Sequence, residues 1–289
     1  MNTPQNICFI GFGEAAEALS GGFSEHRSTT WDIKQNGPES AQIEARVELT
    51  KVTIANNCEE AVSQADWIIS LVTADQAQTA CIEASKFLKT GAYYFEMNSC
   101  SPGTKKANAS IIGDAGGHLI DIAIMSPVNP SRLNTPLLFS GPKAEIVEPA
   151  WSSLGYNTSV FGSHVGEASA VKMTRSIMIK GLEALSAECL LTARELGIEN
   201  HIISSLNKSF EGFDWGIKGG YNLERMLQHG IRRAAEMREV VNTIKETGMP
   251  CHMTESTVVW QQLIGDLKAN PQSENFEQLA DYVRERIRN

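Results

Sequence analysis

The sequence predicts an α/β N-terminal half and an all-α C-terminal half, joined by one long helix. Three observations carry this prediction. Up to Gly162, short apolar runs alternate with amphipathic stretches, the pattern of strand–helix–strand units around a parallel sheet. From His164 to Leu196 there is no proline, the only glycines are Gly166 and Gly181, and apolar residues recur at helical spacing. The remainder reads as further helices, broken at Gly219-Gly220, Gly248-Met249-Pro250 and Asn270-Pro271. The predicted domains are therefore 1–163 and 164–289, the second including the interdomain helix 164–196, which Gly197 stops as a C-cap.

The elements of the first half follow in order. Asn6-Ile7-Cys8-Phe9-Ile10 is a buried strand ended by Gly11, and Thr29-Thr30-Trp31-Asp32 a second, followed by the turn-forming Asn36-Gly37-Pro38. Trp67 to Val72 is a third and Ala92 to Glu96 a fourth. His118 to Met125 and Leu137 to Ser140 carry the sheet toward its far edge.

Composition excludes several function classes. A hydrophobic fraction of 42% and a charged fraction of 20% are those of a globular chain. The net charge of −9 is spread out, and Lys105-Lys106 and Arg232-Arg233 are too short to form a basic stripe, which argues against a nucleic-acid partner. Six cysteines show no CxxC pair and no histidine at metal spacing, so no metal site is expected. Cys8, Cys81 and Cys189 read as buried, reduced thiols. No apolar run is long enough to span a membrane and no charged leader precedes the first strand. The expected compartment is the cytoplasm.

Gly11-Phe12-Gly13-Glu14-Ala15-Ala16 follows the first strand and opens a helix. The first glycine makes a tight turn, the second admits a pyrophosphate to the backbone, and the small Ala16 allows close helix–strand packing. The helix start offers unpaired N–H groups and a positive dipole end. Asp32 closes the second strand 19 positions after Gly13, where a carboxylate accepts the ribose hydroxyls and repels a 2′-phosphate. Strand, turn, helix and acid in this order predict a Rossmann-type domain that binds NAD; Lys34 beside the acid leaves NADP open. A flavin or a nucleotide-sugar on the same fold is the main rival.

Val165-Gly166-Glu167-Ala168-Ser169-Ala170-Val171-Lys172 opens the long helix. With Ala65 to Thr73, Asn98-Ser99-Cys100-Ser101-Pro102 and the Asp121–Pro127 segment, it resembles the β-hydroxyacid dehydrogenase family, which includes 3-hydroxyisobutyrate and 6-phosphogluconate dehydrogenases. The resemblance covers roughly residues 5–200, and the last third looks like an uncharacterised C-terminal domain of bacterial members. It implies cofactor contacts from Gly11, Phe12, Gly13, Glu14, Ala15, Ala16 and Asp32, and from Leu71, Val72, Thr73 and Asn98. It implies Lys172 as the catalytic acid/base, because a lysine desolvated beside a substrate is a usable proton acceptor. The alternative is a snorkelling surface lysine. Ser176, Lys180 and Glu183 continue one polar stripe along the helix, read as the wall of a wetted cleft.

Two departures limit the carry-over. Ser176 stands where the family has asparagine, with Arg175 before it, and a serine lacks the amide's reach and second donor. Met125-Ser126-Pro127 replaces the family's Ser-Gly-Gly, and proline removes an N–H from the carboxylate-binding loop. Ser99, Ser126, Arg175, Ser176 and Arg233 are the expected substrate-binding groups. Arg232 and Arg233 also read as exposed charges, with an Arg233–Glu236 pair, while Phe213, Trp215 and Tyr221 read as either pocket wall or core. The expectation is an NAD-dependent dehydrogenase or reductase of a small hydroxy acid or alcohol, acting as a homodimer. A non-catalytic NAD-binding sensor or scaffold is the alternative; imine reduction is a further one, against which Lys172 argues, since imine reductases generally carry Asp or Tyr there.

Overall fold

The computed structural model describes residues 4–269 and 275–287. Contacts divide the chain into two compact units, Met1–Met173 and Thr174–Asn289. The first holds β1 (Asn6–Ile10), α1 (Glu14–Ser20), β2 (Arg27–Trp31), α2 (Ser40–Glu48), β3 (Val52–Ile54), α3 (Cys58–Val62) and β4 (Trp67–Ser70). It continues through α4 (Ala77–Ser85), β5 (Tyr93–Glu96), α5 (Pro102–Asp114), β6 (His118–Ile124), β7 (Leu137–Ser140), α6 (Ala144–Ser153) and β8 (Thr158–Gly162). Helix α7 (Glu167–Glu195) starts in the first unit and ends in the second, which adds α8 (Glu199–Ser209), α9 (Trp215–Glu246), α10 (His252–Gly265) and α11 (Phe276–Ile287).

The eight strands form one sheet in the order β3-β2-β1-β4-β5-β6-β7-β8, parallel except between β6 and β7. Its central strands are buried on both faces, so their sequences are continuously apolar, yet side chains still alternate. Ile7, Phe9, Trp67, Ile69, Phe95, Ile120 and Ile122 pack on one face with Leu19 of α1, Ile43 of α2 and Trp151 of α6. Cys8, Ile10, Ile68, Tyr94 and Leu119 pack on the other with Val62 of α3, Cys81 of α4 and Ile112 of α5. Strand β3 and strand β8 were absent from the sequence expectation. Both are edge strands with half-exposed residues, so neither carries the apolar run by which a central strand is recognised.

Helix α7 spans the expected region, and Gly197, at φ +69°, ends it. Gly219-Gly220, expected as a break, lies inside α9 instead. The reason is packing: a Cβ on Gly219 would stand 2.3 Å from Leu190 Cδ1, so the glycine brings two helices together. The expected break at Asn270-Pro271 falls outside the described residues, whereas Gly248, at φ +75°, does follow the end of α9. Of the cysteines read as buried, Cys8 and Cys81 are so and Cys189 is exposed, because it falls on the outer face of the amphipathic α7. No helix among the described residues is long and apolar enough to cross a membrane.

An aromatic cluster centres on Trp151, which stacks on Trp67 at 5.7 Å and meets Phe23 at 5.3 Å and Tyr156 at 4.8 Å. Its indole N–H finds no acceptor among the described residues. Trp151→Ala is expected to destabilise the protein by about 3–5 kcal/mol in urea unfolding, and Trp151→Phe, which deletes the orphaned N–H and keeps a ring, by clearly less.

Candidate active site

Strand β1 pairs with β2 on one side and β4 on the other, so the chain leaves their carboxyl ends in opposite directions and opens a crevice there. Gly11 begins the turn at φ +82°. A Cβ at Gly11 would lie 2.7 Å from the Leu71 carbonyl oxygen and 2.9 Å from Val72 Cγ1, so only glycine lets this turn cross the end of β4. Phe12 and Ala16 are fully buried in the core, which fixes the turn from below. Gly13 is the N-cap of α1 and supplies no side chain to its first turn. A Cβ on Gly13 would meet nothing within 4 Å, so open space lies over the helix start, where helix geometry leaves N–H groups unpartnered.

Asp32, 9% exposed, lies one residue past β2 and is the N-cap of a short 3-10 turn. Its Oδ2 accepts the Phe12 N–H at 2.8 Å and its Oδ1 the Lys34 N–H at 2.9 Å. Each oxygen retains a second acceptor direction, so the carboxylate both fixes the glycine turn and keeps capacity for two hydroxyls. Lys34 Nζ is drawn to Glu39 at 2.8 Å. Open space over Gly13, first-turn N–H groups and a retained carboxylate fit a dinucleotide.

The neighbouring strand ends supply the rest of the wall. Val72 donates its N–H to Asn98 Oδ1 at 2.7 Å, and Thr73 is exposed. Asn98 is buried and gives its amide to Ser70 Oγ at 2.9 Å and to Glu96 Oε1 at 2.6 Å. Its neighbour Ser99 is half-buried and accepts a hydrogen bond from Lys172 Nζ at 2.7 Å. Lys172 is itself half-buried on the part of α7 that belongs to the first unit, so it is not a side chain extended into solvent. Glu14, on the exposed side of α1, accepts from Asn129 Nδ2 at 2.9 Å. That contact and the Arg132–Glu17 pair tie the loop containing half-buried Ser126 and exposed Pro127 to α1.

The remaining predicted residues lie in the second unit. Arg175 is exposed. Ser176 is buried and accepts from Lys180 Nζ at 3.3 Å, Lys180 pairs with Glu236 at 2.8 Å, and Glu183 is hydrogen-bonded by Arg233 and by Gln261. The stripe expected to wall a wetted cleft is thus spent at Ser176, Lys180 and Glu183 on buried pairing, because ions removed from water need partners. Arg233 binds Glu183, and the partner of Glu236 on its own helix is Arg232. Phe213 and Phe210 lie against the nearly buried Trp215, and Tyr221 lies under Lys218.

Sequence reasoning missed a buried polar group under the strand ends. Lys105, singled out in the sequence only as part of a short basic pair with Lys106, is wholly buried, as are Glu96 and Asp121. Lys105 Nζ donates to the Glu96 carbonyl at 2.6 Å and lies 3.2 Å from Asp121 Oδ1. The only sequence signal was an acid closing one apolar strand and interrupting another.

Residues 6–161 match the NAD binding domain of 6-phosphogluconate dehydrogenase, and residues 193–264 match a domain of unknown function. A conserved hypothetical protein from Sinorhizobium meliloti is 31% identical, covering 97% of this chain and 96% of its own at a TM-score of 0.74. The 3-hydroxyisobutyrate dehydrogenase of Mycobacterium tuberculosis, solved with L-serine, shares 12% identity, 97% and 99% coverage and a TM-score of 0.72. An imine reductase from Myxococcus stipitatus, solved with NADP+, shares 19% identity, 96% and 99% coverage and a TM-score of 0.56. The last two share the fold. Because the NAD-binding match covers more than half of the sequence, the chain belongs to the family that carries the NAD-binding domain of 6-phosphogluconate dehydrogenase.

Proposed function

We propose that the protein is an NAD-dependent oxidoreductase that moves a hydride between the nicotinamide and a small hydroxy acid or related alcohol, with Lys172 as general acid/base. The observation that carries this reading is the Lys172 Nζ–Ser99 Oγ contact of 2.7 Å, in the same unit as the glycine turn and Asp32. Gly11, Gly13 and the first turn of α1 would hold the pyrophosphate, Asp32 the adenosine ribose, and Val72, Thr73 and Asn98 the side of the cofactor toward the reacting carbon. When bound, the cofactor supplies a hydride acceptor or donor at its nicotinamide ring.

In oxidation the substrate's C–H leaves as hydride and its O–H proton passes to Lys172 Nζ, so the alcohol becomes a carbonyl. In reduction Lys172 returns that proton to the carbonyl oxygen. Ser99 fixes the amine and offers a hydroxyl to the substrate, and Ser126 offers a second. Pro127 removes one loop N–H that family members use, so a substrate carboxylate needs a donor other than that loop. Ser176 and Arg233, in the second unit, are engaged by Lys180 and Glu183, so this reading gives them no part. The same reading has the chain acting as a cytoplasmic homodimer. Met178, Ile217 and Val259 in the helical unit are each largely exposed, the kind of apolar side chain a second copy would cover.

The replacement of the substrate loop by Ser126-Pro127 favours a second reading, an NAD-binding sensor without turnover. One experiment separates the two. Across a panel of small 2- and 3-hydroxy acids, Lys172→Ala is expected to lower kcat/KM by about 10²–10⁴-fold while NADH affinity stays unchanged. Full activity in that variant sinks the catalytic assignment, and no turnover on any substrate by the unmodified protein supports the sensor. Asp32→Ala, read by calorimetric titration, is expected to weaken NADH binding about tenfold and NADPH binding less, because the lost hydrogen bonds are charge-assisted and the repulsion goes with them.

A further inference from the structure

We propose that Asp121 is the positioning residue for Lys172, acting from a buried frame that it shares with Lys105 and Glu96. The proposal rests on Lys172 as the proton-transferring group, but what it claims is how the amine is held.

Helix α7 begins after Gly166, which has φ +99° and no side chain with which to cap the helix. A Cβ there would press on Pro102 at 3.1 Å from its Cβ and 3.2 Å from its carbonyl oxygen, so a capping serine or aspartate has no room. The cap comes from the sheet instead. Asp121 Oδ2, from β6, accepts the N–H of Gly166 at 3.1 Å and of Ser169 at 3.0 Å, and Ser140 Oγ, from β7, accepts the N–H of Ala168 at 3.0 Å. Ser169 Oγ adds a bond to Asp121 Oδ1 at 2.7 Å, and Ser140 Oγ donates to Asp121 Oδ2 at 3.1 Å. The first turn is therefore fixed to two strands by side chains, and Lys172 follows Ser169 at i+3, on the same helix face.

Ser99, which accepts from Lys172, is held by the other end of the same frame. Glu96 Oε1 accepts the backbone N–H of Asn98 at 3.0 Å, and Glu96 Oε2 accepts from Asn108 Nδ2 at 2.8 Å. Asn98 precedes Ser99, so Glu96 sets the path of the segment that presents the Ser99 hydroxyl. Lys105 joins the two ends, 3.6 Å from Glu96 Oε1 and 3.2 Å from Asp121 Oδ1. Burial alone would push the Lys105 ammonium down, but Glu96 and Asp121 outweigh it and hold the group above its ordinary value. Removing two carboxylates and an ammonium from water is costly unless each is fully hydrogen-bonded, and here every bond made by Asp121 to α7 also orients Lys172.

The test reads the amine, not turnover. Lys172 in the full-length protein, in Asp121→Asn and in Ser140→Ala is labelled with an acetylating ester and quantified by peptide mass spectrometry, with exposed Lys51 and Lys245 as internal references. NADH affinity is measured on the same samples. The labelling rate of Lys172 is expected to change by about threefold or more in both variants, with the reference lysines and NADH affinity unchanged. Unchanged Lys172 labelling in a variant that still binds NADH overturns the proposal, because a frame that serves stability alone leaves the amine as it was. If Asp121→Asn does not fold, Ser140→Ala decides by itself, since it removes one hydroxyl that both caps α7 and bonds Asp121. An active Lys172→Ala enzyme would end the catalytic reading and leave this result standing, so the two failures are distinguishable.

Discussion

The turn after β1 must cross the end of β4 at the limit of van der Waals contact, and much of the first unit is arranged around that crossing. Gly11 makes it sterically possible, since a Cβ there would stand 2.7 Å from the Leu71 carbonyl oxygen. The Asp32 carboxylate then ties the turn to the end of β2 through the Phe12 N–H, and the end of β4 is tied to β5 through Val72 and Asn98. From Asn98 the connection is continuous: to Glu96, to Lys105, to Asp121, and to the first turn of α7. The helix start over Gly13 and the amine of Lys172 are thus set by one contiguous set of close contacts and buried hydrogen bonds.

This continuity explains why the acidic residues divide their work. Asp32 keeps 9% exposure and retains acceptor directions beyond the two N–H groups it binds, as the ligand-binding part proposed for it requires. Glu96 and Asp121 have no exposure, and their oxygens are filled from the protein side, as positioning requires. The helical unit applies the same rule at Glu183, whose Oε2 accepts from both Arg233 and Gln261.

Features that depend on local chemistry were legible in the sequence. The central strands announced themselves because both faces are buried, and the glycine turn because its φ and its close approach admit little else. Asp32 was singled out by its spacing and Lys172 by resemblance, and the parts given to both are proposals. Features that depend on contacts distant in sequence were not legible. Edge strands β3 and β8 bury too little to leave a pattern. Gly219-Gly220 looked like a helix break because sequence cannot show Leu190 arriving at that point. The burial of Lys105 was not legible because its two carboxylates come from β5 and β6. The polar stripe on α7 looked like a cleft because its partners Arg233 and Glu236 lie fifty or more residues further along the chain. Sequence periodicity reports which face of an element is polar; it does not report whether water or a buried ion covers that face.

The central claim is that the crevice at the ends of β1 and β4 binds a nicotinamide dinucleotide through its adenosine and pyrophosphate. Fluorescence titration of the unmodified protein with NADH and, separately, NADPH tests it most directly. Saturable binding of both kinds of probe at one site is expected, with NADH clearly preferred because the Asp32 carboxylate would repel a 2′-phosphate. Binding of neither would contradict the account, and preference for NADPH would contradict the part assigned to Asp32.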